Sequence, residues 1–173
     1  MAGEMRGTIV HDASCLIDLH KGKLLHFVLE LPYRLIVPFP IRHSEVLDFT
    51  DREWQILDQG ALKTLDLSPE QVEDALNIKQ AYPKLSANDC LCLALTRCQE
   101  TAILLTGDKL LRQVAASEGF SVHGVLWVID ELKSVGACAN ATLISALELW
   151  RDDHAVFLPG REIEVRLRRL QHP

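Results

Sequence analysis

Four acidic residues stand where the chain changes character: Asp12 in "IVHDAS", Glu45 in "PFPIRHSE", Asp89 in "SANDCL" and Asp108 in "ILLTGD". Taken singly, each has an ordinary structural explanation. Asp12 and Asp108 fit helix caps or Asx turns, Asp89 fits the third position of a capping box, and Glu45 fits a solvated helix face. Taken together they suggest chemistry. Carboxylates that share one cleft raise one another's pKa unless a cation joins them. Mg²⁺ or Mn²⁺ suits such a set, being a hard ion that takes carboxylate oxygens and retains waters. A site of that kind can activate water and stabilise the leaving oxygen of a phosphodiester.

Convergence of the four requires elements that bring them to one edge. "TIV" (8–10) reads as a short buried strand, followed at Asp12 by a turn and an apolar helix. "LIV" (35–37) is a second strand, ended by Pro38 and Pro40, and a helix across His43 to Phe49 carries Glu45 in its first turn. A third strand is expected over 62–68, preceded by a helix of undefined extent around Trp54 to Gln59. Ser68, Pro69 and Glu70 open a strong helix that Pro83 stops, and Ser86 opens the next, with apolar residues at 90, 91, 94, 95 and 98. "TAILLT" is a buried strand, 108–119 a helix closed by glycine and "FSVHG" a last strand, after which three helical stretches follow. Alternation of this kind predicts a parallel sheet with helices on both faces, and ligands then bind at the carboxyl ends of the strands.

Bulk properties bound the reading. The 173 residues suffice for one core, and 24% charged against 48% hydrophobic residues is a globular composition. No apolar run approaches the ~18 residues needed to cross a bilayer, and no leader of signal-peptide type opens the chain, so a cytoplasmic protein is expected. The odd count of five cysteines agrees with reduced thiols, and Cys90 and Cys92, two apart on a helix, face different ways. A net charge of −6 excludes broad coating of nucleic acid but not a local basic rim.

"IVHDASCLIDL", "VPFPIRHSEVLDF", "SANDCLCLALTR" and "ILLTGDKLLRQVA", in this order, resemble the acidic motifs of PIN-domain proteins, the metal-dependent ribonuclease family that includes VapC-like toxins. The resemblance covers residues 7–130, and the stretch after it resembles the helical tail of small prokaryotic PIN proteins. It implies a three-layer α/β/α fold around a parallel sheet of about five strands, with a PIN-like nuclease domain over 7–130 and a helical C-terminal extension over 131–173 packed on it. Asp12, Glu45, Asp89 and Asp108 would then be the catalytic, metal-holding acids for Mg²⁺ or Mn²⁺, with Ser14 and Thr106 lining the site. An RNA substrate, a small antitoxin partner and a homodimer are also implied. Glu45 is the least secure match, since Asp48 lies one turn on, and the fifth acid that some members carry is here replaced by Lys109, Leu110, Leu111 and Arg112.

His11 should point away from Asp12 and be structural, while His43 is undecided. Lys109 and Arg112 suit phosphate contacts or a solvated face, and Arg161, Arg166, Arg168 and Arg169 form a basic concentration that suits RNA or an ordinary amphipathic helix. Trp127 and Trp150 read as packing residues. The apolar residues Leu143, Ile144, Leu147 and Leu149 appear in excess of what one edge helix needs, which points to dimerisation. Two functions stand: a metal-dependent endoribonuclease, which the resemblance extends to the toxin of a toxin–antitoxin pair, and a non-catalytic PIN-like module that binds RNA or protein.

Overall fold

The computed structural model describes residues 5–45 and 48–172. Five strands, β1 (Thr8–His11), β2 (Arg34–Pro38), β3 (Leu62–Leu65), β4 (Ala102–Leu105) and β5 (Ser121–His123), form one parallel sheet in the order β3-β2-β1-β4-β5. Register runs Ile9 beside Leu35 and Ile103, and Val10 beside Ile36 and Leu104. Neighbours along a strand point to opposite faces, and Ile9 and Val10 are both fully buried, so both faces of the sheet are covered. The predicted five-stranded α/β/α architecture is what the structure contains.

The helices in chain order are α1 (Ala13–Lys21), α2 (Leu25–Val28), α3 (Phe39–Ser44), α4 (Asp51–Gln59), α5 (Pro69–Ala81), α6 (Ala87–Arg97), α7 (Lys109–Ser117), α8 (Val125–Val135), α9 (Asn140–Asp152) and α10 (Gly160–Gln171). Ser68 and Ser86 each cap a helix, as the sequence suggested, and both do so in a full capping box, the one expected with Asp89 and a second in which Gln71 returns the bond to Ser68. The helix expected over His43 to Phe49 is instead α3, four residues earlier in its start. Pro38 is the last residue of β2 and takes the N-cap position, and Pro40 sits in the first turn, where a missing N–H costs nothing. The prolines therefore end the strand, as expected, and also start the helix. Val46 and Leu47, in the expected helix, lie outside the described residues. β3 ends at Leu65 rather than residue 68, because Ser68 is committed to capping α5.

From β1 the chain crosses to β2 and β3 on one side, then returns to place β4 and β5 on the other. The direction of winding thus reverses between β1 and β4. In open parallel sheets the crevice at such a reversal, at the carboxyl ends of the strands, is where ligands bind. Asp12 follows β1 directly, and Thr106 follows β4.

The C-terminal helices are part of the same core. Ile163, Leu167 and Leu170 of α10, spaced along one face, are buried, and so are Leu143, Leu147 and Trp150 of α9. The Trp150 indole donates to the carbonyl of Asp18 at 2.8 Å, and Gly22 leaves it room: a Cβ there would lie 2.8 Å from the ring. Leu143 and Leu147 are consumed within the chain, with Leu149 alone of the four residues exposed, so the apolar stripe that pointed to dimerisation is explained by intramolecular packing.

Candidate active site

Asp12 is the N-cap of α1 and is only 4% exposed. Its Oδ1 accepts the Ala13 N–H at 2.8 Å, and its Oδ2 accepts the hydroxyls of Ser14 at 2.9 Å and Thr106 at 2.8 Å. Its own N–H donates to the Leu105 carbonyl, which stitches the ends of β1 and β4 together. Ser14 and Thr106, expected to line the site, are thus direct partners of the central carboxylate. Gly107 donates its N–H to Ser14 Oγ at 2.9 Å, an approach that a Cβ at 3.3 Å from that oxygen would crowd.

Among the described residues no Lys or Arg pairs with this carboxylate. Burial pushes the Asp12 carboxyl above its ordinary value; the Thr106 and Ser14 hydroxyls pull it back, and the Asp89 charge raises it again. Asp12 and Asp89 therefore face each other electrostatically across the crevice. The same crevice reaches Cys92, buried beneath it: burial first, then the charges of Asp12, Asp89 and Glu45, hold the thiol well up in its neutral form. Cys92 is inert packing, in keeping with the structural reading of the thiols.

Asp89 occupies the third position of α6 and accepts the Ser86 N–H on Oδ2 at 2.7 Å. Asp108 caps α7, accepting the Leu111 N–H on Oδ1 at 2.7 Å, while its own N–H donates to Thr106 Oγ1 at 3.0 Å. Thr106 thereby links Asp108 to Asp12. Among the described residues the second carboxylate oxygen of Asp89 and of Asp108 has no hydrogen-bond partner. Each acid holds a helix start with one oxygen and presents the other.

Glu45 is placed differently from expectation. It is the C-cap of α3, not a residue of a helix's first turn, and it is exposed. The Asn88 amide donates to its Oε1 and to Ser44 Oγ, which fastens the end of α3 to the start of α6 next to Asp89. Asn88 is the site residue that sequence reasoning passed over, although its position beside Asp89 in "SAND" was the available signal. Asp48 is exposed in a turn, and His43 packs its ring on Phe39, centroids 4.1 Å apart. His11 is 1% exposed, turned into the sheet as expected, with no partner for either ring nitrogen, and burial lowers it to about 4.

Among the described residues, no three His, Cys, Asp or Glu side chains are gathered closely enough to grip a metal together. The donor set nevertheless fits a hard divalent ion: a buried, cation-free carboxylate, a second facing it, and free oxygens at two helix starts. Mg²⁺ in particular is commonly held by one or two carboxylates while keeping its waters.

A family model described as "PIN domain" (DUF3368) matches residues 8–172, nearly the whole chain. The chain belongs to the PIN-domain family. A search of curated proteins found none that matches it. PIN domains are in general nucleases that use divalent metals and act on nucleic acid, so a nuclease-type function is the broad assignment. The family match runs through α8, α9 and α10, which places the helical tail within the PIN match. No helix among the described residues is long and apolar enough to cross a membrane.

The basic residues divide. Arg166 is bound to Asp130 at 2.6 Å and to Glu162 at 3.1 Å, so the tail's basic concentration is partly spent on fixing α10 to α8. Arg112 donates to the carbonyls of Thr106 and Val122 and meets no carboxylate there, and Gly124 makes room for it: a Cβ would lie 2.9 Å from Nη2. Lys109 is exposed at the start of α7.

Proposed function

We propose that this PIN domain is a Mg²⁺- or Mn²⁺-dependent endoribonuclease, and that Asp12, Asp89 and Asp108 hold the ion, with Glu45 at the rim. The observation that carries the reading is Asp12: a carboxylate 4% exposed at the topological switch point, held by three hydrogen bonds, its pKa raised by burial and by the charge of Asp89 and, among the described residues, paired with no Lys or Arg. Burying such a charge costs stability unless something compensates it, so its retention calls for a ligand of positive charge.

When bound, a divalent ion supplies charge neutralisation at a phosphodiester and acidifies a water. The protein's own contribution is positional. Ser14 and Thr106 fix the Asp12 carboxylate and keep it from rotating, Thr106 aligns Asp108 with it, and the Ser86 cap aims Asp89. Lys109 and Arg112, just past Asp108, supply positive charge for the phosphates on either side of the scissile one. No side-chain nucleophile is required.

A role as the toxin of a toxin–antitoxin pair, in the cytoplasm and restrained by a small protein that blocks the crevice, fits this chemistry and the family. The competing reading, a module that binds without cutting, draws on the absence of a fifth acid and of a gathered metal cluster. The test is incubation of purified protein with labelled single-stranded RNA in Mn²⁺, beside EDTA and an Asp12→Asn variant. Cleavage confined to the wild type with metal supports the nuclease. Binding of RNA with no cleavage at millimolar Mn²⁺ supports the module.

A further inference from the structure

Beside the acids runs a groove of about 770 Å³, within the ~300–1,000 Å³ range of ligand clefts. Ser14 and Gly107 belong to both the groove and the Asp12 hydrogen-bond network, so the two are continuous. The far wall is the segment between α9 and α10, and from it Phe157 projects with 93% of its surface exposed. An isolated phenylalanine that open has no packing role.

The charges lining the groove are Lys21, Lys109, Arg112 and Arg166 against Asp18 and Glu162, four positive and two negative, in a chain whose net charge is −6. Lys21 is paired with Asp153, and Arg166 with Asp130 and Glu162. Among the described residues, Lys109 makes no ion pair and Arg112 bonds only carbonyl oxygens, and these two lie nearest in sequence to Asp108. The other aromatic of the groove, Trp127, is already occupied: His123 stacks on it at 4.5 Å and Tyr33 meets its edge. Phe157 is therefore the open ring face.

We propose that this groove seats an unpaired nucleotide of the substrate strand, its base stacked on Phe157 and its phosphate held by Lys109 and Arg112, beside the acids. The inference rests on the nuclease reading and adds to it a base-stacking subsite on Phe157, which takes an unpaired base because a base paired within a duplex presents no free face to a ring. Cation-lined grooves with aromatic platforms bind single strands in this way without reading their sequence.

The test is fluorescence anisotropy of a labelled oligoribonucleotide of about ten nucleotides, in EDTA so that none is cut, over one common series of salt concentrations, with the same sequence as a duplex for comparison. Phe157→Ala is expected to weaken single-strand binding about tenfold, Phe157→Trp to retain it, and the duplex to bind more weakly than the single strand. Lys109→Ala should weaken binding and flatten its salt dependence. Equal affinity of wild type and Phe157→Ala overturns the subsite, and if the wild type still cuts RNA in Mn²⁺ the nuclease reading stands without it. A Phe157→Ala variant with unchanged affinity but an altered oligomeric state assigns the ring to a protein interface and likewise overturns the subsite. Failure of the wild type both to bind and to cut removes this proposal together with its parent.

Discussion

At the residue scale, Asp12 costs the metal-free protein stability. Burial raises its carboxyl above the ordinary range, and a group so shifted favours folding at low pH and opposes it as pH rises through its folded value. Asp12→Asn keeps a side chain that caps helices equally well and removes the charge. It should raise the melting temperature of the metal-free protein at neutral pH by about 2–4 °C, the effect of on the order of 1 kcal/mol in a domain of this size, while abolishing cleavage. Scanning calorimetry beside an activity assay checks both. Thr106→Val removes one of the two hydroxyls on Oδ2 and the acceptor for the Asp108 N–H. It should lower metal affinity or activity by roughly 10–100-fold, as titration with Mn²⁺ would show.

Asp12 was legible as a candidate only through its joint placement with the other three acids, since alone it reads as a helix cap, and Ser14 and Thr106 only through the family resemblance. Glu45 was misplaced because Pro38 and Pro40 fit a strand end and a helix start equally, and only the register of β2 against β3 decides between them. Phe157 carried no periodic or motif signal of its own, and Asn88 only its place beside Asp89; their relevance arises from what lies opposite them in space.

At the scale of elements, β1 carries a second titratable group with the opposite sign. His11 is fully buried without a partner and is lowered to about 4 by burial. The unfolded chain takes up a proton there near 6.5, so between about 6.5 and 4 the unfolded state binds more protons and stability falls as pH falls. The stabilisation is fully present above 6.5 and its loss amounts to about 3 kcal/mol at the low end. A His11→Leu variant should lose that part of the slope in chemical denaturation measured across this window; an unchanged slope would show that His11 is not its source. The strands and most helices could be read from periodicity and caps because each strand is short and bounded by turn residues, and α1, α4, α5, α6 and α7 open on Ser, Thr or Asp, while α8, α9 and α10, which open on Gly124, Ala139 and Pro159, rest on their apolar periodicity.

At the scale of the whole molecule, the sequence suggested a nuclease domain over 7–130 with a tail over 131–173 packed on it. We propose that the two form one cooperative unit, since α9 and α10 bury Leu143, Leu147, Trp150, Ile163, Leu167 and Leu170, and the segment between them walls the groove. Truncation after Asp152 exposes the apolar face that α10 covers. At ~1.5–3 kcal/mol per large buried side chain, it should destabilise the remainder by several kcal/mol and leave one unfolding transition or none; two independent transitions in the full chain would contradict this. The sequence did not reveal that role because an amphipathic helix is equally readable as a surface for a partner until its apolar face is seen to be covered.

The central claim is that the crevice at the end of β1 and β4 is a cation site built on Asp12. Isothermal titration of the metal-free protein with Mn²⁺ tests it most directly, since it needs no knowledge of the natural RNA. The account predicts saturable binding by the wild type, strongly weakened in both Asp12→Asn and Asp108→Asn. Binding of the same strength in all three proteins, or none in the wild type, would contradict it.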